Sequence, residues 1–409
     1  MSVSNSNQEA VKDLPPVTPP SAKFIAQLFL VPGLIVIIAV GILWSFSWLA
    51  SSERTPQQWI NDLSDSNLEA RWRTANDLVQ VLTKDSALAG NPKFVIELDE
   101  LLHKSLGQQT DSMPRGTGEV SLGIESNESA AKGERFILYL ISSLGNCTIP
   151  AGLPTLRNLA TTDWGTTPST GSLRRQIAIW ALANLGDKVK GLDQMPPEER
   201  ERLVAALEAE GEQAEAEKAK NAHFCSQFVR QRFLGRPMAF GVDRVLDQSS
   251  NAQNPLHRKL SAVALSIWQG NETENEQMEK TLLRLSYDDG HGAEDSAALR
   301  GAEIRYQAVM GLARRGSRKV VSRMKVLNEM LDEDLLGQTF SSSTHDNQRS
   351  TDQDSVISVV TGALRAISEL HRQLPELDLA VLRQNIERLS RADNKYLRTE
   401  AEKVQLALK

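Results

Sequence analysis

Two patterns of hydrophobic and polar positions divide this chain. Residues 24–52 contain no charged side chain, whereas the sequence that follows mixes apolar and charged positions at helical spacing. As a helix, the apolar run 24–50 reaches about 40 Å, against roughly 30 Å of hydrocarbon in a bilayer. The first pattern therefore predicts a transmembrane helix over 24–50, and the second predicts a helical body over 54–409.

The flanks of the apolar run bear on its processing and orientation. The leader before it, residues 1–23, is rich in Ser, Asn and Pro, a composition that predicts disorder. The small residues Ala50 and Ser52 leave a cleaved signal peptide open, and a buried core helix is a further alternative. Lys12 and Lys23 give the leader about one more positive charge than the other flank. The sequence thus predicts a single-pass membrane protein with its N-terminus in the cytoplasm and its body outside.

One helical pattern recurs along the body. An arginine is followed by Ala and Leu at helical spacing, then by Gly or a polar turn, and then by a second apolar helix. Copies of this pattern include Arg71–Leu82, Arg135–Leu156, Arg174–Asp187, Arg258–Leu285, Ile304–Leu331 and Val356–Leu389, with a last helix over Tyr396–Leu408. Ala lets two helices approach closely, while Leu, Ile and Trp fill the seam between successive pairs. Because one pair cannot bury its apolar stripe alone, the pairs must stack.

Two side-chain types within the pattern carry specific expectations. Gly145, Gly186 and Gly316 stand just past a Leu or Arg, where we expect a helix to end in a left-handed turn. The arginines at the repeat position, Arg71, Arg135, Arg174 and Arg305, are expected to pack their stems and bond to neighbouring turns. Both expectations are structural rather than functional.

The blocks resemble HEAT or HEAT-like (armadillo-type) helical repeats, most clearly at 174–187 and 304–316. The resemblance covers roughly residues 56–409, with gaps between blocks. It implies an all-α fold, an α-solenoid of roughly six helix pairs preceded by the transmembrane helix. An irregular helical bundle is the alternative to this prediction.

Three segments interrupt the repeat pattern. Residues 105–132 and 337–355 are polar insertions without apolar periodicity. In repeat arrays such loops often gather on one binding face, but tolerated disorder is the plainer explanation of these segments. The composition of residues 197–223 predicts one charged helix that projects as a solvated arm or long linking helix, and a coiled-coil contact is the alternative.

Composition removes several functions from consideration. The net charge of −6 argues against nucleic-acid binding, which needs a positive field. Two cysteines, Cys147 and Cys225, cannot build a disulfide framework and are predicted to be buried free thiols. No nucleotide-binding, zinc-protease or hydrolase motif is present, so we predict no catalytic, cofactor-binding or metal-binding residues and no enzyme activity.

Three local clusters suggest chemistry, and each has a plainer explanation. His223 and Cys225 provide two metal donors, where zinc needs three or four. The acidic, glycine-containing segment 288–292 reads as a surface turn, since its spacing is wrong for a calcium loop. The basic residues within 314–325 could present cations to phosphates, but a following acidic run offsets their charge.

The sequence therefore predicts a membrane-anchored helical-repeat scaffold or adaptor that binds another protein through its solenoid surface. Self-association as a structural component of an envelope assembly is one alternative. An enzyme or enzyme subunit is another, because HEAT-like repeats occur in some bilin lyases and DNA glycosylases. The identity of the protein partner does not follow from the residues.

Overall fold

The computed structural model describes Leu34 and residues 36–42, 54–112, 124–162, 168–235, 241–288, 295–343 and 349–408. The chain divides into two units, residues 1–55 and 56–409. In the first unit, Leu34 and residues 36–42 are helical and exposed. The predicted disordered leader, residues 1–23, lies outside the described residues.

The predicted transmembrane helix requires correction. Most of residues 24–50 lies outside the described part of the chain, and among the described residues no helix is both long and apolar enough to span a bilayer. The described helical run 36–42 extends roughly 10 Å, about a third of the hydrocarbon thickness. On this finding the predicted single-pass membrane localisation is wrong, together with the orientation derived from it.

The second unit is built of helices and one short hairpin. In chain order the helices are α1 (Pro56–Leu63), α2 (Leu68–Lys84), α3 (Ser86–Ala89), α4 (Pro92–Ser112), α5 (Ile124–Gly145), α6 (Leu153–Thr161), α7 (Pro168–Lys188), α8 (Pro197–Gln213), α9 (Ala216–Phe233), α10 (Val242–Ser250), α11 (Pro255–Ile267), α12 (Glu272–Leu285), α13 (Asp295–Arg314), α14 (Met324–Glu329), α15 (Glu333–Thr339), α16 (Gln353–Gln373), α17 (Ala380–Leu389) and α18 (Lys395–Ala407). Short 3₁₀ turns occupy Pro150–Gly152, Val189–Gln194 and Arg318–Arg323. Strands β1 (Ser341–Ser343) and β2 (Arg349–Thr351) pair antiparallel, with Ser341 opposite Thr351.

Helix starts follow from the sequence. Asparagine side chains cap α2, α11 and α18: the carboxamide oxygens of Asn67, Asn254 and Asn394 each accept a hydrogen bond at 2.9 Å from the backbone N–H two residues later. Such caps satisfy amide groups that have no partner within the helix. Proline is the first residue of α1, α4, α7, α8 and α11, where its fixed backbone angle suits helix entry.

The helices form two rows. The first row consists of α2, α5, α7, α11, α13, α16 and α18, each packed against the next. The second row contains α1, α4, α6, α10, α12, α14 and α17, which pack on the first row, and one apolar core runs through the unit from Trp59 to Val404. This arrangement confirms the predicted all-α helical repeat fold, with β1 and β2 as a small addition. The first-row helices coincide with the recurring sequence blocks.

The repeat arginines have the expected structural roles at some positions and not at others. Arg71 donates from Nε to the Leu63 carbonyl at 2.9 Å, and its guanidinium lies 4.2 Å from the centre of the Phe136 ring. Arg174 is buried and donates from Nε to Glu134 Oε1 at 2.7 Å, linking α7 to α5. Arg135, by contrast, is exposed. The α5 helix therefore contributes its neighbouring acid, rather than its arginine, to the contacts between repeats.

Ion pairs also connect other first-row helices. Lys132 on α5 lies 3.0 Å from Glu69 on α2, and Lys259 on α11 lies 2.8 Å from Glu303 on α13. Hydrogen bonds from the Trp72 indole and from Lys132 lower the pKa of Glu69 to about 2. These pairs are partly exposed, so they favour one register between neighbouring helices more than they add to stability.

The predicted left-handed turn at a helix end occurs at only one of the three glycines. Gly316 has φ +62° and ends α13 in the left-handed region, where glycine avoids a steric cost. Gly145 and Gly186 lie inside the last turns of α5 and α7, without a positive φ. A Cβ on Gly145 would lie 2.7 Å from the Ala181 Cα, and one on Gly186 would lie 2.9 Å from Trp268 Nε1. These two glycines permit close helix contact rather than a turn.

The interrupting segments differ from their predicted form. The predicted insertion 105–132 includes the end of α4 and the start of α5, and residues 113–123 between them lie outside the described residues. Within 337–355, α15 ends, the hairpin follows and α16 begins, with 344–348 outside the described part. The predicted charged helix 197–223 is two helices, α8 and α9, separated where Ala214 is extended. They pack against each other and against α4, because burial of Val204 and Leu207 outweighs continuing one helix into solvent.

A substitution at the α5–α7 contact tests this packing. Ala181 is fully buried against Gly145, so Ala181→Phe should force α5 and α7 apart and lower the free energy of unfolding by about 1–3 kcal/mol or more. Urea unfolding of the full chain measures the change. Ala206→Phe, on the exposed surface of α8, provides the control and should unfold like the unmodified chain. Equal unfolding midpoints for the Ala181 and Ala206 variants would contradict close packing of these helices.

Candidate functional site

A wide groove runs along the edge at which several first-row helices end. Its volume is about 1030 Å³, and it is lined by the last turns of α7, α11, α13 and α16, together with residues from α9 and α12. Four successive helices of one row thus contribute to a single surface depression. A groove of this extent suits an elongated ligand better than a compact small molecule.

The carboxylates of the groove are already paired. Arg232 binds Asp193 through two hydrogen bonds of 2.6 Å, and Lys190 lies 3.7 Å from Asp187. The Glu369 carboxylate accepts hydrogen bonds from Arg372 and Gln373, and its pKa is lowered chiefly by Arg372. Glu279 accepts from Ser317 at 2.6 Å and from Lys319 at 3.0 Å. The acidic lining is therefore neutralised within the protein.

Arg315 stabilises the wall of the groove. Its guanidinium donates to the carbonyls of Leu265 and Trp268, and to Asn275 Oδ1 at 2.6 Å. These carbonyls belong to the end of α11, where a helix leaves its acceptors without backbone partners. Arg315 therefore bonds α13 to the end of α11 and to the start of α12.

Three polar groups of the groove lack side-chain partners. Across the described residues, the amides of Asn184 and Gln269 form no hydrogen bond, and the guanidinium of Arg314 forms neither a hydrogen bond nor an ion pair. Gln269 is exposed, and Asn184 is half-buried. Each amide can donate and accept, as a peptide backbone does. These groups make the groove a polar surface with unused bonding capacity.

The basic cluster predicted within 314–325 does not form one patch. Arg318 pairs with Glu376 at 2.7 Å, and Lys319 pairs with Glu279. Arg323 lies 4.0 Å from the centre of the Tyr287 ring and donates to the Ser286 carbonyl. Most of these cations therefore serve the contacts between turns, and Arg314 alone among those that line the groove has no partner within the described chain.

A second cavity, of about 450 Å³, contains a buried carboxylate. Asp99 on α4 accepts hydrogen bonds from Thr155 Oγ1 at 2.6 Å and Asn221 Nδ2 at 2.8 Å. His103 Nε2 lies 2.8 Å from Thr155 Oγ1 and 3.8 Å from Asp99 Oδ2. Sequence reasoning missed this cluster, because Thr155 and Asn221 lie 56 and 122 residues from Asp99 along the chain. No local motif could have indicated it.

The geometry of this cluster is not that of a hydrolytic triad. In a triad the hydroxyl donates its proton to histidine, and the acid orients that histidine through its other ring nitrogen. Here Thr155 donates its one proton to Asp99, so the 2.8 Å contact requires His103 Nε2 to be the donor. His103 therefore does not accept the proton of this hydroxyl, as the histidine of a triad would. Asp99, Thr155 and Asn221 therefore form a partly buried network that joins α4, α6 and α9.

The remaining sequence candidates do not converge. His223 is exposed and lies 2.8 Å from Gln227, while Cys225 is buried two residues away. Within the described ranges, no three His, Cys, Asp or Glu side chains are grouped to hold a metal ion. Of segment 288–292, only Asp288 is described, and it lies 3.0 Å from Arg258. The segment's remaining residues lie outside the described part.

Cys147 and Cys225 are buried and free, as predicted. Burial raises the pKa of both thiols, and the negative charge of Asp99 raises it further. At neutral pH both groups are therefore protonated thiols rather than nucleophilic thiolates.

Removal of one donor to Asp99 tests the network. Thr155→Val keeps the side-chain shape but leaves Asp99 without its 2.6 Å hydrogen bond. We expect a loss of about 1–3 kcal/mol in the free energy of unfolding, because a buried carboxylate loses one of its hydrogen-bond donors. Urea unfolding measures the loss, and Thr399→Val on the exposed side of α18 is the control. Matching losses in the two variants would contradict the network's structural role.

No protein-family model and no curated protein sequence matches this chain. Solved structures that resemble it include a designed armadillo repeat protein, 13% identical, with a TM-score of 0.33 over 87% of this chain and 100% of that one. An engineered protein is 13% identical, with a TM-score of 0.35 over 86% of this chain and 96% of its own. The Kap95:Nup1 complex is 12% identical, with a TM-score of 0.32 over 86% of this chain and 46% of that one. At such scores, the fold assignment rests on the helix contacts of this chain.

Proposed function

We propose that this protein is a HEAT-type scaffold or adaptor that binds an extended segment of another protein in the groove formed by α7, α11, α13 and α16. The observation that carries the proposal is a groove spanning four helix ends whose polar groups have unused bonding capacity. Four successive helix ends line the groove, and Asn184 and Gln269 have no partners within the described residues.

An extended peptide fits the chemistry of these amides. Its backbone offers alternating N–H and C=O groups, which the Asn184 and Gln269 side chains can bind in either direction. Contacts of this kind depend little on the peptide's side chains and so provide affinity along the groove. Sequence specificity then comes from the groove residues that contact the side chains of the bound peptide.

A rigid groove would favour such binding. The turns that form it are held by Arg315 and by the Trp268 indole, which donates to the Leu182 carbonyl at 2.7 Å. A preformed surface avoids the entropic cost of ordering the receptor, so more of the contact energy contributes to affinity.

Random-peptide selection against the purified full chain tests the proposal. Selected peptides are then measured by fluorescence anisotropy against the unmodified chain and against Gln269→Trp, which places an indole in the groove. We expect affinity to fall about tenfold or more, a change of about 1.4 kcal/mol.

A matched control comes from a second-row helix. Gln248→Trp changes an exposed glutamine on α10, outside the groove, and should bind the peptides like the unmodified chain. Failure to select any binding peptide, or equal affinities for the Gln269 and Gln248 variants, would contradict the proposal.

A further inference from the structure

Arg314 is an unusual cation for its surroundings. It ends α13 beside the groove and is half-buried, yet its guanidinium forms no ion pair and no hydrogen bond with the described residues. Most arginines at such depth are paired, because an uncompensated charge removed from water is unfavourable. The guanidinium has five N–H donors, all of which remain available.

The neighbours of Arg314 do not compensate its charge. Burial lowers the pKa of Arg314, and the nearby Arg365 lowers it further. Arg365 itself bonds to Tyr396 at 2.9 Å and to Glu400 at 3.4 Å, so its own charge is matched elsewhere. The last turn of a helix does favour a cation through the helix dipole. That turn does not provide the guanidinium with a hydrogen-bond acceptor.

The groove's carboxylates are not available to Arg314. Five basic and four acidic side chains line the groove, and each acid is bound by Arg232, Lys190, Arg372 or Lys319. Arg315, the other cation without a carboxylate partner, is bound to backbone carbonyls. The one uncommitted charge of the groove is therefore positive, and it lies where α13 meets α16.

From this arrangement we infer that the partner segment is acidic and that an Asp or Glu side chain of the bound peptide pairs with Arg314. The inference rests on the proposed function and specifies the chemistry of the partner. Planar guanidinium and carboxylate groups form two parallel hydrogen bonds, a geometry that gives both affinity and orientation. Bound in this way, the carboxylate fixes the position of the peptide along the groove.

The position of Arg314 distinguishes this specific ion pair from general electrostatic attraction to an acidic peptide. Surface cations such as Arg318 are solvated and already paired, so they add little to the binding of a peptide acid. Arg314 is half-buried, so its interaction with a carboxylate is screened less by salt than that of an exposed arginine. The expected preference is therefore for one acidic residue at one peptide position, rather than for overall negative charge.

The test compares peptides that differ by one residue. From the selected peptides, we would take the position most enriched in Glu and prepare the Glu and Gln forms of the same peptide. The unmodified chain should bind the Glu form about 10- to 100-fold more tightly than the Gln form. Arg314→Gln should remove that difference, and Arg314→Lys should keep part of it. Arg318→Gln, at a paired and exposed arginine outside the groove, should leave the preference unchanged.

Three results would overturn the inference. Selected peptides without acidic enrichment that still lose affinity with Gln269→Trp would leave the proposed groove function intact and refute the acidic partner. An unchanged Glu preference in Arg314→Gln would place the recognition at another residue. Absence of peptide binding by the unmodified chain would overturn both the proposed function and this inference. Circular dichroism of each variant verifies that it is folded, so that a lost preference for the Glu peptide is not caused by unfolding.

Discussion

Close approach between first-row helices is the constraint on which the rest of this structure depends. Gly145 on α5 meets Ala181 on α7, and Gly186 on α7 meets Trp268 beyond α11. Further along, Gly311 on α13 lies against Ser266 and Leu282, and Gly362 on α16 lies against Met310 on α13. At each of these four places an added Cβ would lie within about 3 Å of a neighbouring atom, so the neighbour must shift to admit a larger side chain. The small residues keep the row continuous.

The groove is a consequence of the close packing of the first-row helices. When neighbouring helices pack closely in one row, their last turns come together along one edge, and their terminal carbonyls need partners. Arg315 donates to the Leu265 carbonyl at the end of α11, and the Trp268 indole donates to the Leu182 carbonyl within α7. The same edge then presents the polar groups that are not used in this way, Asn184, Gln269 and Arg314. The structural arginine, Arg315, and the proposed binding arginine, Arg314, are thus neighbours in the chain at the end of α13.

The sequence predicts the repeating core well, because its signal is local. Ala and Leu at helical spacing mark the first-row helices, and capping residues such as Asn67 and Asn254 mark helix starts. Long-range geometry is harder to predict. The role of Gly186 depends on Trp268, far along the chain, and the site around Asp99 depends on Thr155 and Asn221 from two other helices. Likewise, the break between α8 and α9 comes from tertiary packing, and no proline or positive-φ glycine at that point indicates it in the sequence. The groove itself is a property of stacked helices, so no single motif indicates it.

Hydrogen exchange of the Gly186→Val variant tests the central claim most directly. A side chain at this position would meet the Trp268 indole, so α7 and α11 should separate and their backbone amides should exchange faster than in the unmodified chain. Gly191→Val is the matched control, because a Cβ on Gly191 meets nothing within 4 Å. The account predicts faster exchange in α7 and α11 for the first variant and unchanged exchange for the second. Unchanged exchange in the Gly186 variant would contradict the claim that close approach holds the row and its groove together.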